Sequence, residues 1–198
     1  MAMRFEAIPV QAVKSMSQRN LAIHWQALHA RGGLPRFADF SPGDRAHDPR
    51  QILLWRIDEQ DGARRYRPLY KGDYVYEAFG GDPSSPDAVP EPLRDAFWAG
   101  LDACATSANI VYMSIATSDS SGHRIECERL LLPFGDGDAR VTHMLASLQL
   151  FSVAGTFRRD TILQQFEREA DVTFCGQIPP TLAAASARSQ TEKSTVLG

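Results

Sequence analysis

The chain has 198 residues, 43% of them hydrophobic, enough for one domain with a sizeable core and some loose ends. A net charge of −3 excludes a global basic field for nucleic acid or an anionic bilayer. Three cysteines without a close pair argue against a disulfide framework or a zinc knuckle, and for a reducing cytoplasm. The first twenty residues lack the apolar core of a signal peptide, and no run approaches the roughly 20 apolar residues of a membrane span. An irregular arm is expected up to about Lys14. "SMSQRNLAIHWQALHARGG" reads as a helix, with Leu21, Trp25 and Leu28 on one stripe, Ser17 as cap and Gly32-Gly33 as stop. After a Pro/Gly/Asp-rich linker, two β-type runs flank "EQDGA", and Asp-Gly is a hairpin signal.

"DYVYEAFGG" reads as a short helix, and "PEPLRDAFWAGLDACATSA" as a longer one with Leu93, Phe97 and Leu101 on a face and Trp98 beside them. Three strands follow: "NIVYMSIATS", "HRIECERLLLP" and "RVTHMLASLQLFS". The latter two alternate imperfectly, which implies partial burial of both faces. "DTILQQFEREAD" reads as a closing amphipathic helix, and the small, polar, proline-led end as a mobile tail.

This order is that of the PAS fold. The segment "CERLLLPFGDG" resembles the "ERLLLPL" and glycine-turn segment of a family of small bacterial single-domain PAS proteins, widespread in alphaproteobacteria. "RYRPLYKGDYVYEAFGGD" resembles a second block of that family through Arg67, Leu69, Gly72, Phe79, Gly80 and Asp82, and "LPRFADFSP" resembles its entry segment. Together these blocks cover about residues 34–151. Pro68 stands where the family has leucine or a β-branched residue, which argues for an edge strand. The resemblance implies an α+β fold: a PAS-like five-stranded antiparallel sheet with helices on one face, plus an N-terminal amphipathic helix. The divisions are an arm and helix (1–33), a PAS-like domain (34–153), a C-terminal helical extension (154–179) and a flexible tail (180–198).

The implied function is that of a cytoplasmic sensory or protein-interaction domain acting in signal transduction. Its output would pass to a partner in trans, for example a histidine kinase or a cyclase. A small ligand in the core is compatible with this, and no cofactor is named. Tyr70, Tyr74, Phe79, Phe97, Trp98, Met113 and Met144 fall on elements that line a PAS interior, where such side chains either fill a core or surround a ligand. Arg67, Gly72, Glu128 and Arg129 are structural candidates. Glu128 and Arg129 should point to opposite faces of a strand, one of them meeting a charge on a neighbouring element, and so pin register, with Pro133 ending the strand. The Leu21/Trp25/Leu28 stripe either joins two copies or a partner, or packs on its own sheet.

Other chemistry is thinner. His24 and His29 are five apart, so one helix face cannot offer both to a metal, and no metal site is assigned. His143 reads as a strand histidine or, less simply, a haem ligand. The "GDRAHD" cluster could hold a cation. The basic run "ARRYRPLYK" is either an anion site or a charged edge strand. A small α+β barrel enzyme is the alternative function, with Glu126, Glu128 and His143 as its acid–base candidates.

Overall fold

In the computed structural model, residues 3–40, 48–60, 62–75, 91–118, 121–137, 139–152, 155 and 170–180 are described. The short-helix residues 76–80, with Phe79 and Gly80, lie outside them, as do Asp82, Asp44 and His47, most of the closing amphipathic segment, and the tail from 181.

The protein is α+β. Among the described residues, seven strands form one sheet: β1 (Glu6–Ala7), β2 (Ile52–Gln60), β3 (Ala63–Lys71), β4 (Ile110–Ser118), β5 (Arg124–Phe134), β6 (His143–Ser152) and β7 (Asp171–Ile178). Their order across the sheet is β1-β7-β4-β5-β6-β2-β3. Every adjacent pair is antiparallel except β1 with β7.

The expected count of five is therefore corrected to seven. The extra two are short or half-buried, which hides their period. The N-terminal arm contributes β1, and Ile8 N–H continues the pairing to Gln177 O at 2.8 Å. Gly176 permits this close approach, because a Cβ there would lie 2.6–2.9 Å from the Ile8 side chain. β7 lies in the stretch expected to be a helical extension. Asp171–Ile178 instead covers the open edge of β4, giving those N–H and C=O groups a partner.

The hairpin signal holds. β2 and β3 close through Gly62 at φ 75, a positive value that glycine adopts without strain. β3 is the outer strand, as Pro68 required, and the register shifts opposite it between Leu54 and Trp55. Gly72 then turns the chain against the segment before β2. A Cβ there would sit 2.1 Å from Arg50 O, so no other residue fits without backbone movement.

Two long helices pack on this sheet, on opposite faces. α1 (Met16–Gly32) is capped by Ser15 rather than Ser17: the Ser15 hydroxyl accepts from Gln18 N–H. Gly33 ends it at φ 85. Leu21, Ala22 and Trp25 of α1 pack with Ile110, Tyr112, Leu130, Leu132, Phe134 and Leu145. α2 (Glu91–Ser107) covers the other face, where Leu93, Leu101 and Cys104 meet Val111, Met113, Leu131, Met144 and Leu148. The expectation of helices on one face fails because the central strands are apolar on both. Along β5, Ile125, Cys127 and Leu131 face α2, while Leu130, Leu132 and Phe134 face α1. A sheet greasy on both sides needs both sides covered. Pro133 does not end β5: pairing runs on to Phe134, and Pro133 O accepts from Trp25 Nε1 at 2.6 Å.

Candidate functional site

The neighbours Glu128 and Arg129 lie mid-way along β5, and both are buried, at 0% and 4% exposure. Alternation sends them to opposite faces, as expected. The expectation that one meets an opposite charge fails. Among the described residues, neither is within ion-pair distance of one, and Lys14 pairs with the more exposed Glu126 instead. A buried charge without a counter-charge must be held by hydrogen bonds, ring faces or a bound group.

On the α1 side, Glu128 Oε2 accepts from Ser15 N–H at 3.2 Å, the residue that caps α1. Burial pushes the Glu128 carboxyl upward, against opposing hydrogen bonds from Tyr112 and the Ser15 amide and the charge of Lys14. Burial and the Glu128 contact both raise the Tyr112 phenol. Fully buried Gln18, one turn into α1, sends Nε2 to Ser147 O at 2.9 Å and to Glu128 O at 3.2 Å. The first turn of α1 is thus tied to β5 and β6 by directional bonds. Gln18 Oε1 and Glu128 Oε1 lack a partner among the described residues.

On the α2 side, the Arg129 guanidinium lies beneath the helix. Nη1 donates to Phe97 O at 3.1 Å, and the guanidinium carbon stands 4.1 Å from the centre of the Phe97 ring. Nη2 has no partner. Gly100 makes the helix approach possible: a Cβ there would meet Met113 Sδ at 2.6 Å and Arg129 Nη1 at 3.6 Å. Burial lowers Arg129 to about 10, so it stays a cation at neutral pH. Its ionisable neighbours supply no balancing charge there. Burial pushes Cys127 up to about 12, and holds protons on Cys104 and Tyr66 as well.

The expected lining residues divide. Phe97, Trp98, Met113 and Met144 all lie on the α2 side. Trp98 meets Phe97 edge-on at 5.3 Å. Tyr74 is buried just beyond β3, after the Gly72 turn. Tyr70 does not join them. It pairs with Leu54, whose side chain faces α1, and it is 44% exposed with its hydroxyl on Pro49 O. Arg67 also lies outside, 3.7 Å from Asp58 on the exposed hairpin. Leu21 and Trp25 are spent on the chain's own sheet at 0% exposure, so they cannot serve as a docking stripe; Leu28 packs partly against the same core.

The acid–base candidates do not converge. Glu128 pairs with Gln149, and His143 lies six residues along the same strand, about 20 Å away at the rise of a strand. His143 stacks on Phe37 and contacts Thr142 and Asp136. The basic hairpin run is partly neutralised. Arg64 donates to Thr106 Oγ1 at 2.7 Å beside Asp102, and Tyr66 donates to Asp102 at 2.6 Å, joining β3 to α2. An open cleft of about 740 Å³ is bounded there by Glu59, Arg64, Tyr66, Trp98 and Asp102.

Gln18, Tyr112, Ser147 and Gly100 were missed by sequence reasoning. A glutamine on the inner stripe of an apolar helix, at 18 before 21, 22 and 25, was the available signal. Gly100 in mid-helix was another, since such a glycine often marks a close approach. No protein-family model, no curated protein and no solved structure matches the chain.

Proposed function

We propose that the chain is a PAS-type sensory or protein-interaction domain that acts in signal transduction through a separate partner. The partner class is a signalling enzyme such as a histidine kinase or a cyclase. Support for the PAS-type reading comes from five consecutive strands of the sheet, β3-β2-β6-β5-β4, all antiparallel, with α2 inserted between the second and third of them in chain order. β1 and β7 are then additions at one edge.

The observation that carries the sensory reading is the adjacency of Glu128 and Arg129. One strand holds an under-bonded cation in the interior below α2 and, one residue earlier, the carboxylate that fastens the cap of α1. A group that re-seats Arg129 moves β5, and with it the anchor of α1. Packed cores respond to such shifts by changing between discrete arrangements. The bias cannot exceed the group's differential affinity for the two arrangements, about 5.5 kcal/mol for a switch from 1:99 to 99:1.

Hydrogen exchange on the full chain tests this. Arg129→Met should change amide protection over the first turn of α1, across the sheet, while protection in β2 stays as it was. Unchanged protection at residues 16–20 in a folded Arg129→Met protein rejects the coupling.

A further inference from the structure

We propose that Arg129 anchors a binding site for a small monocarboxylate, seated between α2 and the sheet. This deepens the sensory reading above and rests on it for its purpose. The geometry of the guanidinium carries it. One of its terminal nitrogens is fixed by Phe97 O, the ring of Phe97 lies against it, and the other terminal nitrogen is buried with no acceptor among the described residues. A buried N–H left unmade is costly, more so on a charged group, and an acceptor placed there removes the cost.

The required acceptor is an anion. Nη2 is part of a planar fork, charged at neutral pH, that matches a carboxylate better than a single dipole. No described side chain supplies that charge, since no carboxylate among the described residues lies within ion-pair distance of Arg129. Cys104, Cys127 and Tyr66 remain protonated at neutral pH.

The surroundings limit the size and character of the rest of the molecule. Met113, Leu131 and Leu148 share the face, and Met113 Sδ already fills the space under Gly100. A short, apolar body would match these walls once Met113 and the rings move, whereas a second charge would be buried without a partner. The open cleft beside Tyr66 and Trp98 gives the direction of approach, since Trp98 rests edge-on against Phe97 and Tyr66 packs 5.7 Å from Trp98. These rings would turn aside on entry.

The test uses the full chain with acetate, butyrate and benzoate, and chloride at equal ionic strength. Binding is read by calorimetry and by thermal shift. Acetate or butyrate should raise Tm in a saturable way that chloride does not reproduce. Arg129→Met should bind at least about tenfold more weakly, as expected for loss of a hydrogen bond to a charged group. That variant should fold, because apolar replacement of a buried charge is often neutral or stabilising. Arg129→Lys keeps the charge without the fork and should bind at intermediate strength. No response beyond chloride, or an equal response in Arg129→Met, overturns the site. A side-chain N–H resonance of Arg129 that contacts water alone, unchanged by carboxylates, overturns it too and assigns the vacancy to water. Hydrogen exchange separates the two proposals. Carboxylate binding without a change in α1 upholds the site and removes the sensory reading. A change in α1 in Arg129→Met without carboxylate binding does the reverse.

Discussion

Under α1 the sheet offers Tyr112, Leu130, Leu145 and one carboxylate, Glu128; under α2 it offers Val111, Met113, Leu131 and one cation, Arg129. The carboxylate accepts from the Ser15 amide with Tyr112 against it, and Gln18 bonds the Glu128 backbone carbonyl beside it. The cation has one carbonyl and one aromatic face. The α1 side is therefore fastened by directional bonds that permit one seating of the helix. Around Arg129 the α2 side is held by packing and a polarizable, sulfur-lined wall, which tolerates small rearrangements, and the bonds that tie α2 to β3 lie at its exposed edge in Tyr66–Asp102 and Arg64–Thr106. A domain that receives on one side and reports on the other would be built with this asymmetry.

The largest expected effect breaks the α1 side. Trp25→Ala removes a fully buried ring and its bond to Pro133 O, and should cost about 3–5 kcal/mol in urea unfolding. Loss below 1 kcal/mol would mean that α1 is not part of the folded unit. Next comes overpacking of the α2 side. Gly100→Ala drives a Cβ into Met113 Sδ and should cost about 1–3 kcal/mol. Because that atom ends a flexible side chain, Met113→Ala should recover part of the loss in a double-mutant cycle. Additive costs would show that the helix does not press on Met113.

A pH series sharpens the contrast between the two buried charges. Burial raises the Glu128 carboxyl above its ordinary 4.5, so the folded state holds its proton more tightly than the unfolded chain. Its contribution is present in full below the unfolded value, and is lost as pH rises through the raised folded value. Glu128→Gln should therefore flatten the fall in stability just above pH 4.5, measured by urea midpoints. Arg129 behaves in the opposite sense and elsewhere: its lowered value makes stability rise with pH only above about 10. The smallest effect belongs to the exposed ion pair. Lys14→Ala should cost below about 1 kcal/mol and lose even that in 1 M salt, because Lys14 is more than half exposed.

Local chemistry made the β2–β3 hairpin legible, since Asp-Gly between two β-type runs has few alternatives. Gly32-Gly33 placed the end of α1, and Pro68 placed β3 at an edge. The doubly buried character of β5 was visible in its failure to alternate. β7 was not legible: only two of its eight residues are buried, and the run before it has a helical period. The candidate site was legible as residue types and not as an arrangement. Phe97, Trp98, Met113 and Met144 come together, whereas Tyr70 leaves because the shift opposite Pro68 turns its strand end toward the other face.

The sequence by itself determined the two long helices, the central strands and the opposite facing of Glu128 and Arg129, because period and turn residues act within a few positions along the chain. Only the tertiary structure decided that two edge strands join the sheet, that α1 spends its apolar stripe on its own domain, and that Arg129 lies under Phe97 without a counter-charge among the described residues. Those outcomes depend on which distant surfaces remain uncovered once the sheet has formed, and no local pattern records that.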